Sequence, residues 1–94
     1  MSQIEELRAF VLIVETGSLT HAADRMGIAV SAVSRRLRDL ELRLGTALIQ
    51  RSTRRLFLNE TGQQFYQRAK TVLSTLEDAE QEAQNAGGAL NGVL

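Results

Sequence analysis

The sequence predicts a mainly α-helical domain of four helices, with one small β-hairpin between the third and the fourth. Three observations predict it. Apolar residues recur at helical spacing over most of the chain. The 94 residues include no proline and no cysteine, and four of the 7 glycines, Gly17, Gly27, Gly45 and Gly87, stand just past an apolar-periodic run, where helices end. Two short apolar runs, Leu48-Ile49-Gln50 and Leu56-Phe57-Leu58, interrupt the helical pattern around a basic stretch. At 44% apolar and 23% charged, the composition is that of one small globular domain rather than a disordered chain.

The elements follow in order. Ser2 with Glu5 has the spacing of a capping box, and Ile4, Leu7, Phe10, Val11 and Val14 form the apolar stripe of a first helix over about residues 3–15. Thr16-Gly17 ends it. Ser18 caps a two-turn second helix carrying Leu19, Ala22, Ala23 and Met26, which stops at Gly27. A short turn leads to a third helix, about 31–44, whose inner face is Val33, Leu37, Leu40 and Leu44. Its opposite face gathers Ser31, Ser34, Arg35 and Arg38, with Leu42 exposed among them. The two apolar runs form a hairpin about Arg51-Ser52-Thr53-Arg54-Arg55. Asn59 caps a long fourth helix. Its apolar positions Phe65, Ala69, Val72, Leu76, Ala79, Ala83 and Ala86 step by 4, 3, 4, 3, 4 and 3, a heptad seam. Gly87-Gly88 are expected to break this helix before a short apolar tail.

Formal net charge is zero, but the charge is segregated. Residues 25–70 carry ten basic side chains against three acidic ones, a balance of +7. The rest of the chain has one basic and eight acidic, a balance of −7. A basic middle between acidic ends fits a polyanion-binding face on an otherwise neutral protein. The absence of cysteine excludes disulfides and thiolate-bound metals, and the single histidine, His21, reads as structural or surface. No apolar run approaches the roughly 20 residues of a membrane span, and the N-terminus lacks the pattern of a signal peptide, so a cytoplasmic chain is expected.

Two helices joined by a tight turn, the second with a serine and arginine outer face, have the chemistry of a helix-turn-helix. The major groove of duplex DNA is about 12 Å wide and admits one helix. Arg35 and Arg38 can donate to guanine or phosphate, and Ser31 and Ser34 can donate or accept at close range. The hairpin arginines Arg51, Arg54 and Arg55 fit a wing lying on phosphates or in the minor groove. The pieces in sequence make a winged helix-turn-helix with a dimerisation arm. Each piece alone has a plainer reading: a solvated arginine face, or a seam packed within the chain.

These residues carry a resemblance. Leu7, Phe10, Val14 and Glu15, then Gly17-Ser18-Leu19, Ala22-Ala23, Ala32-Val33-Ser34-Arg35, Leu40-Glu41 and Leu44-Gly45 are similar to the N-terminal domain of LysR-type transcriptional regulators. Leu48, Arg51, Arg54-Arg55 and Leu58-Asn59-Glu60-Thr61-Gly62 continue the pattern, which spans about residues 4–86. The resemblance implies a DNA-binding winged helix-turn-helix over 1–58 and a linker or dimerisation helix over 59–86. It implies a hinge over 87–94 toward a domain that binds a small-molecule effector; no cofactor is expected for residues 1–94. It further implies a homodimer on double-stranded DNA, paired into a tetramer in the full-length protein, with Phe65, Ala69, Val72, Leu76, Ala79 and Ala83 in the dimer interface. Base contacts are assigned to Val30, Ser31, Ser34 and Arg35, and backbone or wing contacts to Ser18, Arg38, Arg51, Arg54 and Arg55.

The chain departs from the family where the third helix begins. Ala29-Val30-Ser31 stands where Ser-Gln-Pro is usual, so Ser31 is expected to take over as the helix cap. Val30 can offer only an apolar contact to a thymine methyl or a sugar. A purely structural dimerisation module, with a basic face that only solubilises, is the alternative reading. An enzyme finds no support: no phosphate-binding glycine loop, nucleophile–base pair or metal ligand set is present.

Overall fold

The computed structural model describes residues 2–51 and 55–93, with side chains to residue 87. It contains α1 (Gln3–Thr16), α2 (Leu19–Met26), α3 (Val30–Leu44), β1 (Ile49–Arg51), β2 (Leu56–Leu58) and α4 (Glu60–Val93). The strands pair antiparallel, Ile49 opposite Leu58 and Arg51 opposite Leu56. The mainly α class and the hairpin are those the sequence predicts. Arg54, expected in the wing, lies outside the described residues.

Each helix start but one is closed by the side chain expected there. Ser2 Oγ accepts from Glu5 N at 3.2 Å, and Ser18 Oγ from His21 N at 3.2 Å. Asn59 Oδ1 accepts from Gly62 N at 2.7 Å. The exception is α3. Its cap is Ala29, which has no side-chain oxygen to offer, and Ser31 sits inside the first turn. The expectation that Ser31 would cap is therefore corrected. The α2–α3 turn is closed by Gly27 at φ 68°, with Ile28 N donating to Ala23 O, and this geometry already sets Val30 into the helix.

The core gathers around α1. Phe10 and Ile13 are fully enclosed, together with Val33, Leu37 and Leu40 of α3, Leu48 before the hairpin and Ala69 of α4. Phe10 meets Phe65 and Tyr66 edge to face at 5.5 and 6.4 Å between centroids. Leu44, expected on the inner face of α3, is exposed because the helix ends there and the chain turns away at Gly45. Along α4 the core takes Leu73, while Val72 is 47% exposed. From Ala69 the step onto α1 is four residues, not three. A straight helix drifts about 20° per heptad from a 3.5-residue repeat, which moves the inner stripe off the counted seam.

The expected break at Gly87-Gly88 is also corrected: α4 runs on to Val93. Positive φ occurs at Gly17, Gly27 and Gly45 and at no other described glycine. The 34 residues of α4 rise about 51 Å at 1.5 Å each. Its stretch from Phe65 to Leu73 packs on the core, and beyond Leu76 the side chains up to Ala86 are exposed.

Tyr66 is the one tyrosine, and its hydroxyl donates to Glu15 Oε2 at 3.1 Å. Burial first, then the hydrogen bond and charge of Glu15, hold its pKa above the ordinary value of 10.0. The folded chain therefore favours the neutral phenol. That contribution to stability is full below about pH 10 and is lost as pH rises through the folded-state value. Ultraviolet titration should give a midpoint above 10.0 that falls in Glu15→Gln yet stays above 10.0, since burial is the larger cause. A midpoint at or below 10.0 in the parent chain would contradict this environment.

Candidate nucleic-acid interface

Burial splits α3 into two faces. Val33, Leu37 and Leu40 are buried on one side. On the other, Ser31, Arg35 and Arg38 are exposed, Val30 is 41% exposed and Ser34 is half-buried. At 100° per residue, positions 31, 35, 38 and 42 form one continuous outward stripe, ending in Leu42 at 72% exposure. The helix is 15 residues, about 22 Å long, enough to lie along a groove. Its outer surface offers two guanidinium groups, two hydroxyls and an isopropyl group.

The other two arginines of α3's basic run turn toward α1. Arg36 Nη2 is 3.4 Å from Glu5 Oε2. Arg43 donates to Glu6 Oε1 from Nε at 3.1 Å and from Nη2 at 2.5 Å. The Glu6 side chain is almost wholly buried, so this fork is a cross-strut between α1 and α3. Arg36 and Arg43 thus do not belong to the outward face, and the +7 window overstates it. Their acidic partners stand near the N-terminus of α1, 31 and 37 residues away. Helical periodicity sorts residues by face, but it does not reveal pairs between elements.

Lys70 is likewise held against its own chain, 4.8 Å from the centre of the Tyr66 ring. Ser18 accepts the α2 cap hydrogen bond, and its O–H can still donate outward. In the hairpin, Arg51 on β1 and Arg55 before β2 are exposed, as is Phe57.

The hairpin is fixed from two sides. Glu41 Oε2 accepts from Leu48 N at 2.7 Å and Ile49 N at 3.2 Å. From α4, Asn59 Nδ2 donates to Ala47 O at 2.8 Å and Asn59 N to Leu48 O at 3.1 Å. Sequence reading missed Glu41, Asn59's second bond and Leu73. The signals were an acidic residue one turn before a terminal glycine and an asparagine where the chain re-enters a helix.

The seam divides as the packing requires. Phe65 is half-buried, and Ala69, 2% exposed, is already covered within the chain, so Ala69 has no surface left for a partner. Leu76 is half-buried, and Val72, Ala79, Ala83 and Ala86 are exposed. Beside them a groove of about 580 Å³ runs between α1, the end of α2 and α4, lined in part by Val11, Leu12, Met26 and Leu73 and rimmed by Arg8 and Arg25. Among the described residues no helix is long and apolar enough to cross a membrane.

The family model of bacterial regulatory helix-turn-helix proteins of the lysR family matches residues 4–63. The HTH-type transcriptional regulator CrgA of Neisseria meningitidis is 46% identical over 78 residues, covering 83% of this chain and 26% of CrgA. The chain thus spans about a quarter of the length of that curated relative. Among solved structures, the DNA-binding domain of BenM in complex with benA site 1 DNA superposes with a TM-score of 0.85 at 34% identity, covering 92% of this chain and 97% of that one. Oxidised OxyR of Corynebacterium glutamicum superposes with a TM-score of 0.87 at 33% identity, covering 94% of this chain and 27% of that one. With the family model matched over residues 4–63 and the fold shared with those structures, the chain belongs to the lysR family of bacterial regulatory helix-turn-helix proteins.

Proposed function

We propose that this chain is the sequence-specific, double-stranded-DNA-binding part of a cytoplasmic transcriptional regulator, and not an enzyme. In this reading α3 enters the major groove. Arg35, Ser31 and Ser34 reach base edges, and Val30 contacts a thymine methyl or sugar. Arg38, Ser18 and the wing arginines Arg51, Arg54 and Arg55 contact the backbone. The observation that carries it is the outward stripe of α3, polar and cationic along its middle while the opposite face is anchored in the core and strutted by Arg43–Glu6. The DNA complex of the similar BenM domain supports it.

The reading includes a two-fold homodimer through the outward part of α4, namely Val72, Leu76, Ala79 and Ala83 with the exposed edge of Phe65. Charge along the helix supports an antiparallel pair. Residues 60–72 carry Glu60, Arg68 and Lys70, a balance of +1. Residues 73–93 carry Glu77, Asp78, Glu80 and Glu82 with no basic residue, a balance of −4. A parallel pair would set −4 against −4. An antiparallel one brings the acidic half toward the partner's basic half and the Arg8 and Arg25 rim of the groove.

The test is duplex binding by fluorescence anisotropy across a salt series, with a duplex selected from a random pool and its scrambled form. If a dimer neutralises about 6–10 phosphates, log K should fall against log salt with a slope of roughly −5 to −9. Arg35→Ala should cost about 1–3 kcal/mol on the selected duplex and shrink its preference over the scrambled one. A slope near zero would overturn the DNA reading. An unchanged preference would remove Arg35 as a base reader.

A further inference from the structure

Four backbone N–H groups converge on Glu41. Its carbonyl oxygen accepts from Gly45 N at 2.9 Å and Thr46 N at 3.1 Å, closing the end of α3. Its carboxylate then reaches past that turn to accept from Leu48 N at 2.7 Å and Ile49 N at 3.2 Å, where the hairpin begins. One residue of the recognition helix therefore holds both the turn and the first strand. The hydrogen bonds are charge-assisted and go to main-chain groups, so they fix the path of the backbone rather than one rotamer. Gly45, at φ 73°, makes the intervening turn tight enough for the reach.

We propose that Glu41 is the positioning residue that sets the wing relative to the recognition helix, so that Arg51 meets the DNA backbone while α3 lies in the groove. This rests on the DNA reading above. Glu41 points at main-chain amides, not toward the outward stripe, and acts only through the hairpin. Without its carboxylate, Leu48 N and Ile49 N have no shared acceptor, and the hairpin is left to the Asn59 bonds on Ala47 O and Leu48 O and to the packing of Leu48 and Ile49. The wing then follows Asn59 and α4 rather than α3, so Arg51 shifts off its phosphate while base reading by α3 is retained.

Two measurements on the same chain test this. In the free protein, amide hydrogen exchange at Leu48 and Ile49 should be slow, and at least about tenfold faster in Glu41→Ala, while Phe10 and Ile13 in α1 stay as protected as in the parent. In duplex binding, Glu41→Ala should weaken affinity about tenfold and make the salt slope shallower by about 1 for each phosphate no longer neutralised. The ratio between selected and scrambled duplexes should hold. Glu41→Gln, which keeps an acceptor oxygen, should recover most of both. A general loss of stability lowers the bound fraction but leaves the slope alone, so an unchanged slope overturns the proposal. Exchange that accelerates equally in α1 overturns it too. A parent chain without salt-dependent duplex binding fails the DNA reading itself and takes this proposal with it, whatever the exchange rates show.

Discussion

Gly62→Ala is expected to melt about 5–20 °C below the parent chain, even though it replaces a helical glycine by the best helix former. Propensity alone favours alanine by about 1 kcal/mol. Space opposes it. A Cβ at Gly62 would stand 2.1 Å from the Leu48 carbonyl oxygen and 3.0 Å from both the Leu48 carbonyl carbon and Leu58 Cδ2. The offending oxygen belongs to the backbone and cannot rotate away. The same peptide is held by Asn59 N on its oxygen, and the Leu48 N–H is held by Glu41. Either α4 backs off from the hairpin or the Leu48 segment leaves its bonds. Overpacking costs roughly 1–3 kcal/mol, and a backbone contact this close stands at the upper end, leaving about 2 kcal/mol net of propensity; in a domain of this size each kcal/mol moves the melting point by about 4–8 °C. Gly87→Ala is the control: nothing lies within 4 Å of its would-be Cβ, so it should melt at or above the parent. Calorimetry of the three chains decides. A Gly62→Ala chain as stable as the parent would mean that α4 and the hairpin pack more loosely than these distances require.

How far this was legible in the sequence depends on the kind of interaction. The elements were legible because their signals are local: an apolar stripe, a serine or asparagine before it, a glycine after it. The outward face of α3 was legible for the same reason, since the buried Val33, Leu37 and Leu40 dictate where Ser31, Arg35 and Arg38 point. What escaped was set between elements. Arg36 and Arg43 count as free positive charge until α1 brings Glu5 and Glu6 against them. Glu41 looks like one more solvated acid until the turn at Gly45 aims two amides at it. The exchange of Leu73 for Val72 arises from helical drift against α1, which a heptad count ignores. Gly87-Gly88 failed as a terminator because a glycine ends a helix only where the chain turns to positive φ, as at Gly17, Gly27 and Gly45, and here the backbone stays helical.

The largest functional effect is expected from Leu76→Glu, which should leave a monomer at micromolar concentration and weaken duplex binding by about 10²–10⁴. In the single chain the inner edge of α4 ends near Leu73 and Leu76, and Ala79, Ala83 and Ala86 are left in water. Negative charge at Glu77, Asp78, Glu80 and Glu82 offers no support from the helix dipole in that half. A second α4 laid antiparallel supplies what is missing: an apolar cover for Val72 and Leu76, close approach at the alanines, and basic groups opposite the acidic half. Glutamate at 76 places another negative charge in the middle of that interface, where burial without a partner is costly. DNA affinity falls with the dimer because two tethered recognition helices gain a high effective concentration for the second half-site, a gain of about 10²–10⁴ that a monomer forfeits. Leu76 is half-buried in the monomer, so Ala83→Glu is the companion variant: Ala83 is exposed, and its replacement leaves the α1 core untouched. Sedimentation velocity and duplex titration of parent, Leu76→Glu and Ala83→Glu, with thermal melts as the folding check, separate the outcomes. Folded variants that remain dimeric, or a parent chain that is monomeric yet binds DNA as tightly, would show that α4 is not what joins the two copies.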